Sequence, residues 1–251
     1  MSGNYDDCKE LEEKYLETSQ QLKESEKLNK SKSYFLAQAS HDLRQPLHAL
    51  RIFINLLEGT KLSRQQQNLV DKLDDSAINM QALLDNYLDL SRLDYGGIKY
   101  EPEFFCLKNL TDKLAGEFCL ICQSHHRFFH YIPCSLKINS DPVLLERLLR
   151  NLLSNAVKYS KHKIVFGCKR RKDFVQIVIM DDGNGIDEQD TPYIFDEFYQ
   201  SGLNPDNRKS GAGLGLAIAK KIANLIGTDI RVRTKPQRGT CFSFRIPATP
   251  E

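Results

Sequence analysis

The sequence has no tryptophan, three methionines and almost no net charge. It contains 35 Lys and Arg against 33 Asp and Glu, a formal net charge of +2, which excludes bulk electrostatic attraction to a nucleic-acid partner. No apolar run approaches the roughly 18 residues that cross a bilayer, and the polar start lacks the pattern of a signal peptide. Seven cysteines in 251 residues are an odd number, typical of free thiols in a reducing compartment. We therefore expect a cytoplasmic protein with no membrane segment and no nucleic-acid partner.

The length and composition of the chain predict two structured parts. About 41% of the residues are hydrophobic and 27% are charged, which supports a real core and excludes wholesale disorder. At roughly 150 residues per domain, the chain corresponds to about two domains. Residues 1–32 are mostly polar, with apolar side chains three and four apart. This spacing fits a helical or coiled-coil linker and equally fits a solvated, frayed tail.

Residues 33–95 have the pattern of a helical hairpin. A leucine recurs every seven residues in the first half, at Leu36, Leu43, Leu50 and Leu57. Gly59 ends this helix, and Ser63 with Gln66 forms an S-x-x-Q capping box that opens a second one. A hairpin with one broad apolar stripe has only half a core. The economical solution is pairing with a second copy into a four-helix bundle, so the pattern predicts a homodimer.

Residues 96–251 alternate between short apolar runs and helical patterns. We predict strands at 103–107, 127–132, 164–168, 174–180, 229–233 and 240–246. Helices are predicted at 108–123, 142–160 and 212–227. This mixed order predicts an α+β sandwich with its helices on one face of a sheet. The long polar stretch before Gly211 is typical of a functional or mobile loop.

His41 is the first candidate reactive residue. The heptad places it on the outermost position of the first helix, next to Asp42, and Pro46 removes the backbone hydrogen bond to residue 42. A solvated imidazole beside a carboxylate can act as a nucleophile. A surface histidine beside a surface aspartate has the same pattern, and the residues alone leave both interpretations open.

The helix predicted at 142–160 carries a second candidate site. Asn151, Asn155 and Lys158 fall in one narrow sector of this helix. Two carboxamides and an ammonium group suit a hydrated Mg²⁺ with phosphates attached, because magnesium keeps several waters and takes few protein oxygens. An amphipathic helix with a plain polar outer face is the alternative.

A carboxylate and two glycines follow the strand predicted at 174–180. Asp181 at the end of a strand could accept the exocyclic N–H of adenine, since a carboxylate only accepts. Gly183 and Gly185 would let a ligand approach the backbone. A strand-ending turn without any ligand has the same composition, so this motif is also ambiguous by itself.

A second group of glycines leads directly into the last predicted helix. Gly211, Gly213 and Gly215 would expose backbone N–H groups at the positive end of that helix, which favours an anion. The spacing is not the dinucleotide fingerprint, because Leu216 stands where the third glycine is required. It is not a P-loop either, because no Gly-Lys-Ser/Thr follows.

Zinc binding is a further alternative for one cluster. Cys119 and Cys122 lie close in sequence to His125 and His126, but no second cysteine pair has zinc-finger spacing. Both cysteines fit the inner stripe of the helix predicted at 108–123. We therefore expect no metal at these thiols.

Six ordered segments resemble the motifs of sensor histidine kinases. In chain order they resemble the H, N, G1, F and G2 boxes and the closing strand: SHDLRQPL (40–47), NLLSNAVKYS (151–160), DDGNGI (181–186), YIFDEFYQ (193–200), GAGLGLAIAKKI (211–222) and GTCFSFRIP (239–247). The resemblance covers about residues 33–248. It implies a dimerisation and histidine-phosphotransfer hairpin over 33–95, followed by a Bergerat-type (GHKL) ATP-binding domain over 96–251.

The resemblance also implies a role for each matching residue. His41 would accept the γ-phosphoryl group of ATP, and Asp42 would stand where the family's base acts. Asn155 would bind Mg²⁺ and Asp181 would bind adenine. The remaining ATP-binding residues implied in this way are Asn151, Lys158, Tyr159, Gly183, Gly185, Gly211, Gly213, Leu214 and Gly215.

The implied function is that of an ATP-dependent protein-histidine kinase of a two-component system. A homodimer would phosphorylate His41 and pass the phosphoryl group to an aspartate in the receiver domain of a response regulator. Phe195 and Phe198 would anchor a mobile lid that carries Arg208 or Lys209. The intact histidine and glycines argue against a nucleotide-binding scaffold without phosphotransfer. The hairpin argues against an ATPase coupled to conformational change.

Two residues depart from the family's pattern. Asp182 stands where Asn is common, which adds a negative charge beside a triphosphate site. Gln45 stands four residues after the histidine, where many of these enzymes carry Thr or Asn for phosphatase activity.

We expect a kinase with weak phosphatase activity because of Gln45. Residues 41 and 45 are neighbours on one helix face, and Gln moves the amide by more than about an ångström relative to Asn, which catalytic geometry does not tolerate well. Gln45→Asn or Gln45→Thr should speed dephosphorylation of the phosphorylated partner and keep autophosphorylation. Rapid partner dephosphorylation by the unchanged chain, lost in Gln45→Ala, would contradict this expectation.

Overall fold

The computed structural model describes residues 3–94, 97–200 and 213–248, with only part of the side chains before residue 42. The chain divides into two units, Met1–Ile98 and Lys99–Glu251. Among the residues described, no helix is both long enough and apolar enough to span a membrane.

The first unit is an antiparallel helical hairpin. It consists of α1 (Gly3–Glu58) and α2 (Arg64–Asp94). Arg44 pairs with Asp85 at 2.7 Å and Arg51 approaches Asp74 at 3.8 Å. Arg51 follows Arg44 in α1, whereas its partner Asp74 precedes Asp85 in α2, so the two helices run antiparallel. A short connection between helices imposes this arrangement.

The capping box predicted between the two helices is confirmed. The N–H of Ser63 donates to Gln66 Oε1 at 2.9 Å, and the N–H of Gln66 donates to Ser63 Oγ at 3.3 Å. This exchange satisfies two backbone donors where α2 begins. Helix α1 also runs through residue 32 without a break, so the segment predicted as a linker continues into the first helix of the hairpin.

The hairpin buries only part of its apolar surface. Ile54, Val70 and Ala77 form a buried cluster, and half-buried Leu62 packs against it. Other large apolar side chains of the two helices are exposed, including Leu43, Leu50, Phe53, Leu57, Leu69, Leu73, Met80 and Leu83. A single hairpin therefore has the incomplete core that its sequence predicts.

The second unit combines three helices with two sheets in its described part. Its elements are β1 (Glu103–Cys106), α3 (Leu107–Ser124), β2 (Phe128–Ile132), β3 (Lys137–Ser140), α4 (Pro142–Tyr159), β4 (Lys163–Arg170), β5 (Phe174–Asp181), α5 (Gly215–Leu225), β6 (Arg231–Lys235) and β7 (Gly239–Pro247). Strands β1 and β3 pair antiparallel. The larger sheet has the order β2-β4-β5-β7-β6, in which only β2 and β4 are parallel.

The core of this unit lies between the helices and one face of the larger sheet. Helices α3 and α4 contact the sheet, and α5 packs on α4. Alternate side chains of β5 are buried against them, and the residues between are half-buried or exposed. The leucine face of α4 is fully buried, through Leu145, Leu148, Leu149, Leu152 and Leu153. The predicted α+β sandwich is confirmed.

Local sequence signals place α4 accurately. Asp141 Oδ1 accepts from the N–H groups of Val143 and Leu144 at 2.9 and 3.0 Å, and Pro142 occupies the first turn. All six predicted strands and all three predicted helices of this unit are present, with ends shifted by three residues at most. Strand β3 was not predicted, because Ile138 is the one large apolar residue in its four-residue length.

Candidate functional site

Helix α4 carries the polar residues predicted for the site. Asn151, Asn155 and Lys158 are half-buried on it. Asn151 Nδ2 donates to the backbone carbonyl four residues earlier at 3.0 Å. A Cβ at Gly215 would lie 3.3 Å from Asn151 Oδ1, so the start of α5 adjoins this face of α4. The Lys158 ammonium lies 4.7 Å from the centre of the Tyr159 ring.

Asp181 is the last residue of β5, and its side chain is buried. Its Oδ1 accepts from the N–H of Gly183 at 2.9 Å and from the N–H of Thr240 at 3.3 Å. Burial raises the pKa of this carboxyl, against the opposing effect of the two N–H groups. A buried carboxylate held by two amides is an acceptor of fixed direction.

The turn after β5 closes against the end of α4. A Cβ at Gly183 would lie 2.3 Å from the carbonyl oxygen of Tyr159, a distance that excludes any side chain. Gly185 has a φ of +71° and lies beside the carbonyl of Lys235. The segments predicted to form one site at 151–160 and 181–186 are therefore in contact.

Helix α5 begins differently from α4. Its N-cap residue, Leu214, is buried and makes no capping hydrogen bond through its side chain. Gly213, just before it, has a φ of +75°. The first N–H groups of a helix without a side-chain cap are available to an anion, which the positive end of the helix dipole also favours.

The segment before residue 201 is attached to α5. Glu197 pairs with Lys221 at 2.9 Å, and the Lys220 ammonium lies 5.6 Å from the centre of the Phe195 ring. Phe198 is exposed and has a φ of +63°. The positions predicted at Gly211, Arg208 and Lys209 lie outside the described residues, so their roles stay predictions.

The predicted phosphotransfer residues lie on α1. Position 41 is within this helix, and the His41 side chain is outside the described part. Asp42 and Gln45 are exposed on the same helix, with Pro46 inside it. Their roles stay predictions.

Asp182 has a structural use that its sequence position did not reveal. Its carboxylate accepts from the N–H of Lys161 at 2.9 Å and from the N–H of His162 at 3.0 and 3.1 Å. Burial raises the pKa of this carboxyl, but the backbone N–H groups of residues 161–163 outweigh burial and hold it below its ordinary value. The charge expected beside a triphosphate is therefore engaged by the loop between α4 and β4.

The sequence reasoning missed two residues of β7. Thr240 supplies an N–H to Asp181, and a Cβ at Gly239 would lie 2.0 Å from the carbonyl oxygen of Asp181. Gly239 also has a φ of +91°. The Gly-Thr pair that opens β7 is the only local signal.

Of the two cysteines predicted on the inner stripe of α3, Cys122 is fully buried and Cys119 is half-buried.

Comparison with known families identifies both units. Residues 31–96 match the family described as His Kinase A (phospho-acceptor) domain, and residues 140–250 match the family described as Histidine kinase-, DNA gyrase B-, and HSP90-like ATPase. The chain is a histidine kinase catalytic core. The second match contains both faces of the site, the helix with Asn155 and the strand that ends at Asp181.

Curated relatives of this kinase core are sensor kinases of greater length. It is 30% identical over 227 residues to the sensor histidine kinase RcsC of Salmonella typhimurium, covering 89% of this chain and 24% of that protein. It is 31% identical over 236 residues to the signal transduction histidine-protein kinase BarA of Escherichia coli, covering 89% and 25%. The chain thus spans about a quarter of the length of these relatives.

Solved structures have the same architecture. Full-length ShkA in complex with AMPPNP superposes with a TM-score of 0.71 at 25% identity, covering 86% of the kinase core and 46% of that chain. The histidine kinase AdeS of Acinetobacter baumannii gives a TM-score of 0.59 at 20% identity, covering 84% and 98%. The second likeness concerns the fold alone.

We expect Asp181→Asn to fold at least as stably as the unchanged kinase core at pH 8 without nucleotide. The amide oxygen can still accept both N–H groups, and the substitution removes a buried charge. Asp181→Ala leaves two buried donors without an acceptor, at about 1–3 kcal/mol each, and should lower the melting temperature.

The pH dependence of this difference follows from the raised pKa. Because the folded-state pKa exceeds the unfolded value, the carboxylate costs stability above the folded pKa and costs none below the unfolded pKa of about 4. Thermal unfolding between pH 4 and 8 should therefore show the advantage of Asp181→Asn shrinking as the pH falls. An Asn variant that melts earlier at pH 8 would mean that the charge stabilises the fold.

Proposed function

We propose that this kinase core binds ATP and phosphorylates His41, and that the phosphoryl group then passes to an aspartate in the receiver domain of a response regulator. One observation carries the proposal. A buried, doubly hydrogen-bonded Asp181 ends β5 in a domain of the ATPase family, the turn after it contacts the end of α4, and the same chain carries a histidine in a matched phospho-acceptor domain.

The proposed ATP site uses three parts of the second unit. The Asp181 carboxylate accepts the exocyclic N–H of adenine, and Gly183 lets the turn after β5 lie against the carbonyl of Tyr159 at the end of α4. The triphosphate lies toward the start of α5, where backbone N–H groups have no side-chain cap. Lys158 supplies a point charge from α4, with Asn151 and Tyr159 beside it.

The residues present fit a magnesium ion. Asn155 offers one carboxamide oxygen on the half-buried face of α4, and phosphate oxygens with water would complete an octahedral shell. Bound there, Mg²⁺ would neutralise phosphate charge during transfer. One protein oxygen is enough for a Mg²⁺ ion that is bound together with the nucleotide, because phosphate and water oxygens supply its other ligands.

The proposed reaction is an in-line displacement at the γ-phosphorus. A ring nitrogen of His41 forms a bond to phosphorus as the bond to the bridging oxygen of ADP breaks. Asp42, the next residue on α1, orients the ring or removes its proton, a contribution of about 10²–10⁴ in rate. The phosphohistidine is then attacked by a carboxylate of the receiver domain, which restores His41.

A dimer and a reducing environment complete the proposal. The apolar side chains that the hairpin leaves exposed are those that a second hairpin would cover. The cysteines of the described side chains are all free thiols, which suits the cytoplasm.

Incubation with γ-labelled ATP tests the proposed reaction. The chain should acquire label that is labile in acid and stable in base, the behaviour of a phosphohistidine. His41→Gln should remove the label and keep the rise in melting temperature caused by Mg-ATP, about 2.7 kcal/mol of stabilisation at 100 times the dissociation constant. Asn155→Asp should reduce both.

His48→Gln serves as the matched control, since His48 is an exposed histidine of the same helix. Stable label on the His41 variant would overturn the assignment of the acceptor. If Mg-ATP raises the melting temperature of the Asn155 variant as much as that of the unchanged chain, Asn155 is not the metal ligand.

A charged side chain among the exposed apolar residues of the hairpin should dissociate the proposed dimer. Leu43 is 53% exposed in a single chain, and a buried, unpaired carboxylate in a bundle would have no compensation. Light scattering should give twice the 28.8 kDa mass for the unchanged chain and for His48→Glu, and the single mass for Leu43→Glu. A monomeric unchanged chain with full helicity would refute the bundle.

A further inference from the structure

On the face of the five-stranded sheet opposite the core, the described side chains of β5 and β7 are half-buried or exposed. The strand register places Cys241 beside Met180 and Arg233 beside Cys241, so these three side chains share that face. Six exposed cations lie on it: Lys163, Lys169, Arg231, Arg233, Lys235 and Arg245. We call this surface the basic face.

The charge of the basic face is not balanced by its neighbours. Asp181 is the single carboxylate in the five strands, and its side chain is on the buried face. No ion pair joins the six cations to residues that the structure describes; Asp229, which lies near Arg231, pairs with Lys220. Residues 99–251 contain 23 Lys and Arg against 17 Asp and Glu. This surplus equals the number of cations on the basic face.

A hollow is present at one end of the basic face. Arg233, Lys235 and Arg238 line it together with Met180 and Cys241. The strand register places Arg233 opposite Cys241. Burial raises the pKa of the Cys241 thiol, the Arg233 guanidinium lowers it, and the Asp181 carboxylate raises it. Three cations thus converge on a concave surface, here called the basic hollow.

The basic hollow adjoins the candidate ATP site from the other side of the sheet. Asp181, Gly239 and Thr240 also line it. The N–H of Thr240 donates to the Asp181 carboxylate on the buried face at 3.3 Å, and Cys241 is the next residue along β7. A displacement of β7 from the basic face would therefore alter the hydrogen bond that holds the candidate adenine acceptor.

We propose that the basic hollow binds a small phosphate-bearing anion and that its occupation changes the affinity of the kinase core for nucleotide. Two guanidinium groups can each bind two phosphate oxygens, and the lysine adds a point charge. No aromatic side chain lines the hollow. It has no platform for stacking a base, so the phosphate groups themselves are what it recognises.

The experiment uses pyrophosphate as the probe and the full chain with its ATP site saturated by AMPPNP. Calorimetry should detect pyrophosphate binding, and the alkylation rate of Cys241, followed by mass spectrometry, should fall as the hollow fills. Arg233→Gln with Lys235→Gln should weaken binding at least tenfold and abolish the protection of Cys241. Arg171→Gln with Lys172→Gln, which removes the same two charges on the exposed turn between β4 and β5, should leave both unchanged.

Coupling has its own measurement. Saturating pyrophosphate should change the dissociation constant of AMPPNP severalfold in the unchanged chain and not in the double variant, and AMPPNP should change the affinity for pyrophosphate by the same factor. An unchanged AMPPNP affinity would overturn the coupling.

Other outcomes would overturn the binding site. Pyrophosphate binding that disappears when AMPPNP is saturating belongs to the ATP site. If the double variant binds pyrophosphate as tightly as the unchanged chain, Arg233 and Lys235 do not form the binding site. Sedimentation with phosphatidylglycerol vesicles, without pyrophosphate binding, would make the basic face a lipid surface instead. None of these results depends on autophosphorylation, so the inference can fail while the proposed function stands.

Discussion

The burial of one carboxylate determines much of the second unit. Asp181 can be buried at the end of β5 only because two backbone N–H groups, from Gly183 and Thr240, donate to it. Those donors come from the turn after β5 and from the start of β7, so one side chain connects both. The backbone segments around Asp181 lie so close together that two positions accept only glycine. Gly183 lies against the carbonyl of Tyr159 and Gly239 lies against the carbonyl of Asp181, where no Cβ fits.

The parts that the sequence predicted are those with local signals. The capping exchange between Ser63 and Gln66 involves residues three apart. The start predicted for α4 at residue 142 is also local, since Asp141 caps this helix and Pro142 occupies its first turn. Alternating burial in β5 and the leucine face of α4 are also periodic within one element.

The parts that the sequence did not predict depend on contacts between distant residues. Strand β3 exists because β1, more than thirty residues earlier, pairs with it. Thr240 contributes a backbone N–H, which any residue except proline could supply, so its side chain gives no signal. Asp182 contacts residues 161–162 across a loop that sequence spacing does not reveal. The residues that carry candidate chemistry were recognisable, but their backbone partners required the fold.

The two units differ in how their stability is secured. In the second unit the leucine face of α4 is fully buried within one chain. In the first, Leu43 and Leu50 are about half exposed. If a second hairpin covers them, the stability of the first unit becomes inseparable from protein concentration, whereas that of the second does not.

The starts of α4 and α5 differ in how their first N–H groups are satisfied. Helix α4 uses the Asp141 carboxylate to satisfy its first N–H groups, which closes that terminus to other anions. Helix α5 has no side-chain cap at Leu214. The Asp182 carboxylate faces the backbone N–H groups of residues 161–163, which hold its pKa below its ordinary value. Of these two termini in one unit, therefore, the terminus that adjoins Asn151 has donors left for an incoming phosphate.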